Sequence, residues 1–551
     1  MDRCGLSHYR NIGNVTKEER IMNHCGRKVL VMLLALLFIT AWTSPLFAAQ
    51  PKTQQAQPKV QQVQPKPQYG GILRVSDLTD GTNIGLPSKY SALYAQRQVA
   101  PAIETLFRTD KTGKPIPWLA ESYKEDAKGK TITLKLRKGV KFHDGTDFNA
   151  EAVKWNLEQY MAAKSGGTEM FTSVDIVDNF TVRINLTEWD NTAIGNMAYM
   201  IGSIISPTAF KKNGADWCAS NPVGTGPFQF VSWVKGVKTV YKKFPDYWQK
   251  GKPYLDGIEW IPMQDVMTRL LSLKKGELDL ALSIAAKDLA DLKKEGFIMV
   301  SSNAGSGVLG VVHDSANPNS PFAKLKVRQA AQYAIDGDAI AKAIYLGEAE
   351  GANQWTYKGH WAYNPAVTGY PYNPAKAKQL LKEAGYPNGF KTRIAYITSA
   401  QDDQIYTAAQ GYLKDVGIDA ELDPITSPAW MPIALGGGTW DGMLQGGVTG
   451  NPDVAGTLAS RYIGGGRYYS QMLVPEEYVK AVKSAITATD FKTKQKWTHT
   501  AMKLMIDKYC IRTVFCSRPE FGAGKKTLHN HGFLGTPNSA WWTPEEAWME
   551  K

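Results

Sequence analysis

Hydrophobic and polar residues alternate along TITLKLR, Thr131 to Arg137, which places Ile132, Leu134 and Leu136 on one face. That period of two predicts a β-strand with one buried face. The Asp-Gly pair in the HDGT that follows predicts a tight turn. In NAEAVKWNLEQY, Asn149 to Tyr160, apolar residues recur every three to four positions after a good N-cap residue, and this pattern predicts a helix.

Two further stretches have helical periodicity: FAKLKVRQAAQYAI, and NPAKAKQLLKEAG, which is stopped by Gly385 and Pro387. Strands therefore alternate with helices, and no period of about 20 to 50 residues recurs. The pattern predicts a mixed α/β architecture with several sheets. Because 551 residues are too many for one core, we expect at least two domains.

The N-terminal segment has the layout of a secretory signal. Arg27 and Lys28 precede an apolar run, residues 29–42, which is followed by small residues. The run is too short to span a bilayer comfortably. We therefore predict a signal peptide over residues 1–49, with an uncleaved tether as the alternative and Met22 as an alternative start. Since no cysteine follows the run where a lipoprotein needs one, a soluble periplasmic protein is expected.

The next segment, residues 50–68, is rich in Gln, Pro and Lys and predicts a disordered leader. The whole chain carries a formal net charge of +13. Residues 1–49 hold six basic and three acidic side chains, so a chain starting at Gln50 carries +10, of which three charges lie in the leader. The folded part is thus only mildly basic. It lacks runs of Lys and Arg interleaved with aromatics, so no nucleic-acid partner is expected.

Three cysteines follow the signal segment: Cys218, Cys510 and Cys516. If KYCIRTVFC is extended, its two cysteines lie roughly 20 Å apart, which is beyond disulfide reach. We therefore expect no disulfide, even in an oxidising compartment.

Two glycine-rich motifs could indicate nucleotide binding. GSGVLG, Gly305 to Gly310, matches G-x-G-x-x-G, but it leads into VVHDS, which has the pattern of a strand and not of the helix that a dinucleotide site requires. GAGKKT, Gly522 to Thr527, lacks the first glycine and the hydroxyl residue of a P-loop. Neither motif predicts a cofactor, and we expect none.

Histidines could indicate metal binding or catalysis. His529 and His531 in HNHG have no third ligand nearby, so an exposed loop is favoured over a metal site. His143 beside Asp144 is attributed to turn formation. Because no nucleophile is paired with a base, we expect neither an enzyme nor a metal centre.

Several motifs, in the order LFRTDKTGKPIPWLAESYKEDAKGKTITLKLRKGVKFHDGTDFNAEAVKWNLEQY, PVGTGPFQFVSWVKG, KFPDYWQKGKPYLDGIEW, PFAKLKVRQAAQYAIDGDAIAKAI and YNPAKAKQLLKEAGYPNGF, resemble the family 5 extracellular solute-binding proteins. The resemblance runs from about Tyr69 to about Phe521. It implies an α/β, two-lobed periplasmic-binding-protein fold of type II, in the large cluster that carries an extra subdomain in lobe I.

The resemblance also implies where the lobes divide. Lobe I would comprise residues 69–306, with the extra subdomain at about 106–228, and lobe II would comprise residues 307–514. Residues 515–551 would return to lobe I. The two crossing segments would fall near Gly305 to Val311 and near Val514 to Ser517. Glycines at a crossing allow the backbone rotations of lobe closure.

A family member of this kind would be the periplasmic receptor of an ABC importer. It would capture a small solute by closing its cleft and would deliver it, as a monomer, to permease and ATPase subunits. A peptide receptor proper is the alternative within this class. An exported hydrolase on the same scaffold is a second alternative. A metal-chelate receptor, which would need a cleft-facing histidine such as His313 or His360, is the third.

By resemblance, the cleft is lined by DLTDGTNIG, by ANQWTYKGHWAYNP and by the region around TWDGMLQGGVTGNPDV. Flat aromatic side chains suit a small-solute site. The aromatic candidates are Trp355, Tyr357, Trp361 and Trp440. Polar neighbours favour an exposed cleft position for Trp355, whereas a core position is equally expected for Trp361 and Trp440.

Three glycines and a proline in GGVTGNPDV, Gly446 to Val454, predict a sharp turn. The ligand-binding candidates in it are Thr449, Asn451 and Asp453. In peptide-binding relatives the corresponding stretch carries an aspartate that pairs with the ligand's α-ammonium group. Here Asn451 is predicted to be an N-cap, with Pro452 first in a helix and Asp453 in its first turn. We therefore expect a receptor that is not tuned to peptides with free N-termini.

Overall fold

The computed structural model describes residues 66–89, 93–302, 307–435, 438–446, 453–463, 468–533, 542 and 544–551. The predicted signal peptide and residues 50–65 of the predicted leader lie outside these ranges. The described residues belong to one compact unit, Lys66–Lys551.

The strands of the described residues are β1 Ile72–Asp77, β2 Glu104–Thr105, β3 Phe107–Thr109, β4 Pro115–Pro117, β5 Ala120–Asp126, β6 Thr131–Leu136, β7 Phe171–Asp178, β8 Thr181–Leu186, β9 Ser203–Ile204, β10 Phe228–Val234, β11 Lys238–Lys243, β12 Gly257–Pro262, β13 Leu280–Leu282, β14 Ile298–Ser302, β15 Val308–His313, β16 Phe390–Ile397, β17 Ile418–Ile425, β18 Met443–Gln445, β19 Arg512–Ser517, β20 Glu520–Gly524, β21 Leu528–His529 and β22 Trp548–Met549.

The α-helices of the described residues are α1 Leu93–Val99, α2 Ala150–Ala162, α3 Ala193–Met197, α4 Pro207–Cys218, α5 Val266–Lys274, α6 Ala286–Lys294, α7 Leu325–Ala334, α8 Gly337–Tyr345, α9 Pro374–Glu383, α10 Ala400–Asp415, α11 Ser427–Ala434, α12 Val454–Leu458, α13 Glu476–Ile486 and α14 Phe491–Lys503. None of them is long and apolar enough to cross a membrane.

Three larger sheets organise the chain. A seven-stranded sheet has the order β10-β11-β12-β1-β13-β20-β14, and a five-stranded sheet has the order β17-β16-β18-β15-β19. A separate four-stranded sheet, β5-β6-β8-β7, is antiparallel throughout and packs against α2. This mixed α/β layout with several sheets agrees with the predicted fold class. The extent of the extra subdomain, about 106–228, stays a prediction.

The strand and helices predicted from periodicity are present. β6 buries Ile132, Leu134 and Leu136, as its alternation predicts. Asn149 caps α2 by accepting a hydrogen bond from the backbone N–H of Ala152. The remaining two predicted helices are α7 and α9.

The chain passes twice between the two larger sheets. β14 belongs to the seven-stranded sheet and β15 to the five-stranded sheet, so the first passage lies between Ser302 and Val308. GSGVLG therefore leads into a strand, as predicted, although Gly305 lies outside the described residues. The predicted return crossing, Val514 to Ser517, lies too early in the chain, because these residues pair with β15 inside the five-stranded sheet. The change of sheet occurs at Arg518 and Pro519.

Alternation in β15 divides the core on either side of the five-stranded sheet. Leu309 and Val311 face the cluster formed with α7, α9 and α10, whereas Val308 and Val312 face the cluster formed with α12, α13 and α14. Cys218, Cys510 and Cys516 are buried and free.

Candidate functional site

Both larger sheets contain parallel strands whose carboxyl ends form an edge. In the seven-stranded sheet β1 runs parallel to β12 and β13, and in the five-stranded sheet β16 runs parallel to β17 and β18. Ligands of open α/β sheets bind beside the carboxyl ends of parallel strands. These two edges, which end at Asp77 and at Gln445, are therefore the candidate site.

The edge of the seven-stranded sheet is a closed ionic cluster. The carboxylate of Asp77 accepts hydrogen bonds from Arg97 Nη1 at 3.1 Å and from Ser283 Oγ at 2.6 Å. The guanidinium of Arg97 also pairs with Glu520 at the start of β20. Asp77 and Arg97 are buried. The first residue of the predicted cleft segment DLTDGTNIG is thus already neutralised by the chain.

The edge of the five-stranded sheet is held by backbone and amide contacts. Gln445 Oε1 accepts the N–H of Ile397 at 2.6 Å, and the Gly446 N–H donates to the Gly310 carbonyl at 2.9 Å. The carbonyl of Gly446 accepts a hydrogen bond from Arg512 Nη2 at 3.3 Å. The candidates Thr449 and Asn451 follow directly but lie outside the described residues.

Asp453, the third candidate of this segment, is the N-cap of α12. Its carboxylate accepts the N–H of Gly456 at 3.1 Å and forms an ion pair with Lys494 Nζ at 2.6 Å. The prediction that Asp453 lies in the first turn, behind an Asn451 cap, is wrong, because the helix begins at Val454. Both members of the ion pair are buried, so Asp453 already has an ammonium partner from within the chain.

The same ion pair lies where the four-stranded-sheet region meets the helices of the five-stranded sheet. Lys494 Nζ donates to the Asn191 carbonyl at 3.3 Å. The side-chain amide of Asn191 donates to the carbonyls of Ala485 and Ala488, at 2.8 and 2.9 Å. Trp189 Nε1 also donates to Ala488, at 3.1 Å. These hydrogen bonds join residues 189–191 to the end of α13 and to α14.

A cavity of about 80 Å³ remains at this contact, lined by Asn191, Asp453, Lys494 and Trp361 among others. Burial raises the pKa of the Asp190 carboxyl, and the neighbouring Lys494 ammonium opposes that rise. The pKa of Glu125 is raised by burial and opposed by Lys494 in the same way. Lys494 is thus the cation that balances carboxylates from both sides of the contact.

The tryptophan candidates are buried. Trp355 is 1% exposed and packs edge-on against Tyr462, with ring centroids 5.1 Å apart, so the expected exposed position is wrong. Trp440 lies in the same hydrophobic cluster. Trp361 is also buried and lies beside the small cavity, where its backbone N–H donates to the Thr112 carbonyl at 3.0 Å. Whether any of them contacts a ligand stays a prediction.

Tyr357 lies in a different place from Trp361 and Asp453. It lines an open groove of about 900 Å³ beside β19, together with residues from the start of α8. Burial raises the pKa of its hydroxyl. The two cavities share no lining residue, so the structure does not bring all the predicted residues together.

The histidines behave as structural groups. His313 is fully buried, is stacked on Phe322 and contacts Thr513 Oγ1 at 3.0 Å, which removes it as a cleft-facing metal ligand. His360 is buried, and its Nδ1 accepts the Ala362 N–H at 3.1 Å. His143 contacts the Gly226 carbonyl at 2.9 Å, beside the predicted turn.

The C-terminal histidine pair differs from the predicted exposed loop. His529 lies in β21 and is stacked on Trp548 with centroids 4.1 Å apart, and both His529 and His531 are half-buried. The described residues contain no group of three or more His, Cys, Asp or Glu side chains that could hold a metal ion.

Sequence reasoning missed Lys494, Asn191 and Arg512. Lys494 lies on the same helical face as the buried Thr498 and Ala501, and a lysine on that face is a detectable signal. Arg512 is the single charged residue of a strand that is otherwise apolar or hydroxyl-bearing, which is a second signal. Asn191 lies in a loop and has no such pattern.

Residues 114–469 match the family model of the bacterial extracellular solute-binding proteins, family 5. This match covers more than half of the chain. The chain belongs to this family.

Glutathione-binding protein GsiB of Pectobacterium atrosepticum is 36% identical over 329 residues, which are 58% of this chain and 62% of the relative. The GsiB protein of Escherichia coli O1:K1 is likewise 36% identical over 323 residues, with the same coverages. The match thus spans less than two thirds of the length of these relatives.

Solved structures share the fold of this family 5 protein over nearly the whole described chain. The periplasmic binding protein DppA from Helicobacter pylori, in complex with the peptide STSA, has a TM-score of 0.71 at 24% identity and covers 88% of this chain and 99% of its own. The binding protein AgaA from A. tumefaciens R10, in complex with agropinic acid, has a TM-score of 0.71 at 27% identity, with 87% and 99% covered. The two-lobed type II periplasmic-binding-protein fold expected from the sequence is therefore confirmed.

Proposed function

We propose that this protein is the solute receptor of an ABC importer and that it works by cleft closure. The observation that carries the proposal is the set of hydrogen bonds from Trp189 and Asn191, in the predicted lobe I, to Ala485 and Ala488, in the predicted lobe II. Contacts of this kind exist only when the two predicted lobes meet. A solute that adds contacts to both halves shifts the equilibrium toward the closed form.

The solute class follows from the charges already paired at the site. Lys494 neutralises Asp453 at 2.6 Å, so this carboxylate has no need of a ligand ammonium group. The relatives are named for glutathione, and the solved neighbours hold a short peptide or agropinic acid. We infer a small peptide-like or other organic solute, bound without an essential free α-ammonium group.

The remaining parts of the proposal follow from family membership. The protein acts as a monomer and passes its solute to permease and ATPase subunits, and it catalyses no reaction itself. It works in the periplasm after removal of residues 1–49. Recovery of the mature protein in the soluble periplasmic fraction supports this localisation, and retention on the membrane after a high-salt wash contradicts it.

Lys494→Met tests closure. The substitution removes the cation that lies between Asp453 and the Asn191 carbonyl, so it weakens the closed form. We expect solute affinity to fall about tenfold or more, since closure and binding are linked. Calorimetric titration with glutathione, short peptides and small organic acids gives the affinity, and solution scattering gives the radius of gyration.

Lys496→Met is the matched control, because Lys496 is exposed on the same helix, α14. It should bind like the wild type. Scattering curves that superimpose with and without a bound solute contradict cleft closure. Equal affinities for wild type and Lys494→Met contradict only the role of the ion pair in closure, and the receptor proposal then stands.

A further inference from the structure

Arg512, at the start of β19, carries a buried positive charge that no described carboxylate neutralises. Its relative exposure is 0%. Its hydrogen bonds go to neutral oxygens: Nη1 donates to the Tyr462 hydroxyl at 2.7 Å, and Nη2 donates to the carbonyls of Val308 and Gly446 at 2.8 and 3.3 Å. A buried charge without a counter-charge costs several kcal/mol unless hydrogen bonds satisfy its donors, so the donors of Arg512 that remain without an acceptor decide its role.

Arg328 shows what a purely structural buried arginine looks like in this protein. Its Nε and Nη2 donate to the Tyr509 carbonyl at 3.0 and 2.8 Å. Its Nη1 donates to the carbonyls of Phe322 and Ala323 at 2.7 and 3.0 Å. Every nitrogen of this guanidinium thus donates a hydrogen bond to a backbone carbonyl. Arg512 differs because its buried Nε has no hydrogen-bond partner.

An aromatic side chain beside Arg512 also presents an N–H group without an acceptor. The guanidinium carbon lies 5.3 Å from the ring centroid of Trp355, whose buried Nε1 has no partner. Indole N–H and guanidinium N–H groups only donate. The partner that these donors lack is therefore an acceptor.

The position of Arg512 is that of a ligand anchor. Its Nη2 contacts Val308, the first residue of β15, and Gly446, the residue that follows β18. An added Cβ at Gly446 would lie 2.8 Å from the guanidinium carbon, so glycine allows the chain to lie directly against the cation. The cation is thus at the carboxyl edge where a solute is expected.

We infer that Arg512 binds a carboxylate group of the transported solute, with the indole N–H of Trp355 as a second donor. This inference rests on the proposed receptor function and specifies the charge of its solute. A guanidinium fork matches a carboxylate in geometry and charge, and a buried pair of this kind resists competition by water. Selection would then act on the anionic end of the solute and not on its amine.

The test compares pairs of probes that differ only in the carboxylate. Wild type is titrated by calorimetry with glutathione, with tripeptides and with small organic acids, and with the ester or amide of each. We expect binding of at least one free acid and at least about 100-fold weaker binding of its neutral derivative, in the range found when one member of a buried charge pair is removed. Equal affinity for an acid and its amide overturns the inference.

Two substitutions locate the effect at Arg512. Arg512→Met should weaken the free acid about 100-fold or more and should leave the affinity for the neutral derivative nearly unchanged. Arg512→Lys keeps the charge but loses the fork, so its affinity should lie between those of wild type and Arg512→Met. If Arg512→Met does not fold, as near-ultraviolet circular dichroism will show, Arg512→Lys provides the test by itself. A free acid that binds both folded variants like wild type overturns the inference.

Failure of the receptor function has a different signature. Native mass spectrometry of the purified protein, followed by denaturation, identifies a retained solute. If no solute is retained and no probe binds wild type, the receptor proposal and this inference both fail. If a neutral solute without carboxylate or other anionic oxygen binds tightly, the receptor proposal stands and the role of Arg512 is overturned.

Discussion

The carboxyl edges of the two larger sheets each hold a buried arginine, and the two differ in how its charge is balanced. At the seven-stranded sheet, Arg97 pairs with both Asp77 and Glu520. At the five-stranded sheet, Arg512 contacts a hydroxyl and two carbonyls, and it has no carboxylate partner among the described residues.

If Arg512 binds the solute, this difference separates a scaffold edge from a binding edge. A charge that is neutralised within the chain fixes local structure and offers little to a ligand. A cation that has only neutral contacts and keeps a buried N–H without an acceptor, as Arg512 does at Nε, gains most when an anion arrives. The two edges therefore predict opposite consequences of mutation: loss of stability at Arg97 and loss of binding at Arg512.

The largest effect on stability is expected from Arg97→Met. Removal of this guanidinium leaves Asp77 buried without its cation, which costs about 3–5 kcal/mol of unfolding free energy. Urea unfolding, monitored by circular dichroism, measures the loss. The exposed pair of Arg183 and Asp175 provides the control, since Arg183→Met should leave the unfolding free energy nearly unchanged. Equal losses for the two variants would mean that the buried pair of Arg97 and Asp77 stabilises the fold no more than an exposed ion pair.

Much of the fold could be predicted from sequence because local patterns dictate it. The alternation of β6 and the Asn149 cap of α2 each depend on neighbouring residues, and both are present. The return crossing was misplaced because Val514 to Ser517 is apolar enough to be read as either a crossing or a strand. Its pairing with β15, about 200 residues away in sequence, decides the matter, and no local pattern reports it.

The site was less predictable for the same physical reason. The sequence favours a structural role for Asp453 over a ligand-binding one, but its partner Lys494 lies on another helix, so the ion pair depends on tertiary packing. The polar neighbours of Trp355 suggested exposure, yet Gln354 is itself buried and bonded to Asn364. Polar composition around an aromatic residue therefore does not imply solvent when the polar groups satisfy one another.

Acid should destabilise the fold through two buried histidines, of which His313 lies in the five-stranded sheet. Burial lowers the pKa of His143 to about 4, and burial together with the nearby Arg328 charge lowers the pKa of His313 to about 3. Both are neutral in the folded protein above the ordinary pKa of 6.5. As the pH falls below that value, the unfolded chain binds protons that the folded protein does not, so stability falls.

For His143 alone, the loss of unfolding free energy approaches about 3 kcal/mol near pH 4. Urea unfolding between pH 7 and 4 measures the slope, and His143→Gln should flatten it. His313→Gln makes the matching test in the five-stranded sheet. A slope that both variants leave unchanged would assign the acid sensitivity to other groups.

Gly446→Ala tests how closely the chain lies against Arg512. The new Cβ would lie 2.8 Å from the guanidinium carbon and 2.9 Å from Nη2, so the cation or the backbone must move. Such overpacking costs about 1–3 kcal/mol of stability. Displacement of Arg512 should also weaken the solute that wild type binds, as calorimetry will show. Wild-type affinity in this variant would place the ligand away from Gly446.

The smallest effect is expected from Gly411→Ala, a glycine of α10 beside the same sheet. Gly411 is exposed, and an added Cβ meets nothing within 4 Å. Alanine loses less conformational freedom than glycine on helix formation, so the variant should gain about 0.5–1 kcal/mol of unfolding free energy. Urea unfolding measures the gain, and calorimetry should find an unchanged solute affinity. A loss of stability would mean that α10 requires a glycine at this position. A change in solute affinity would mean that α10 also contributes to ligand binding.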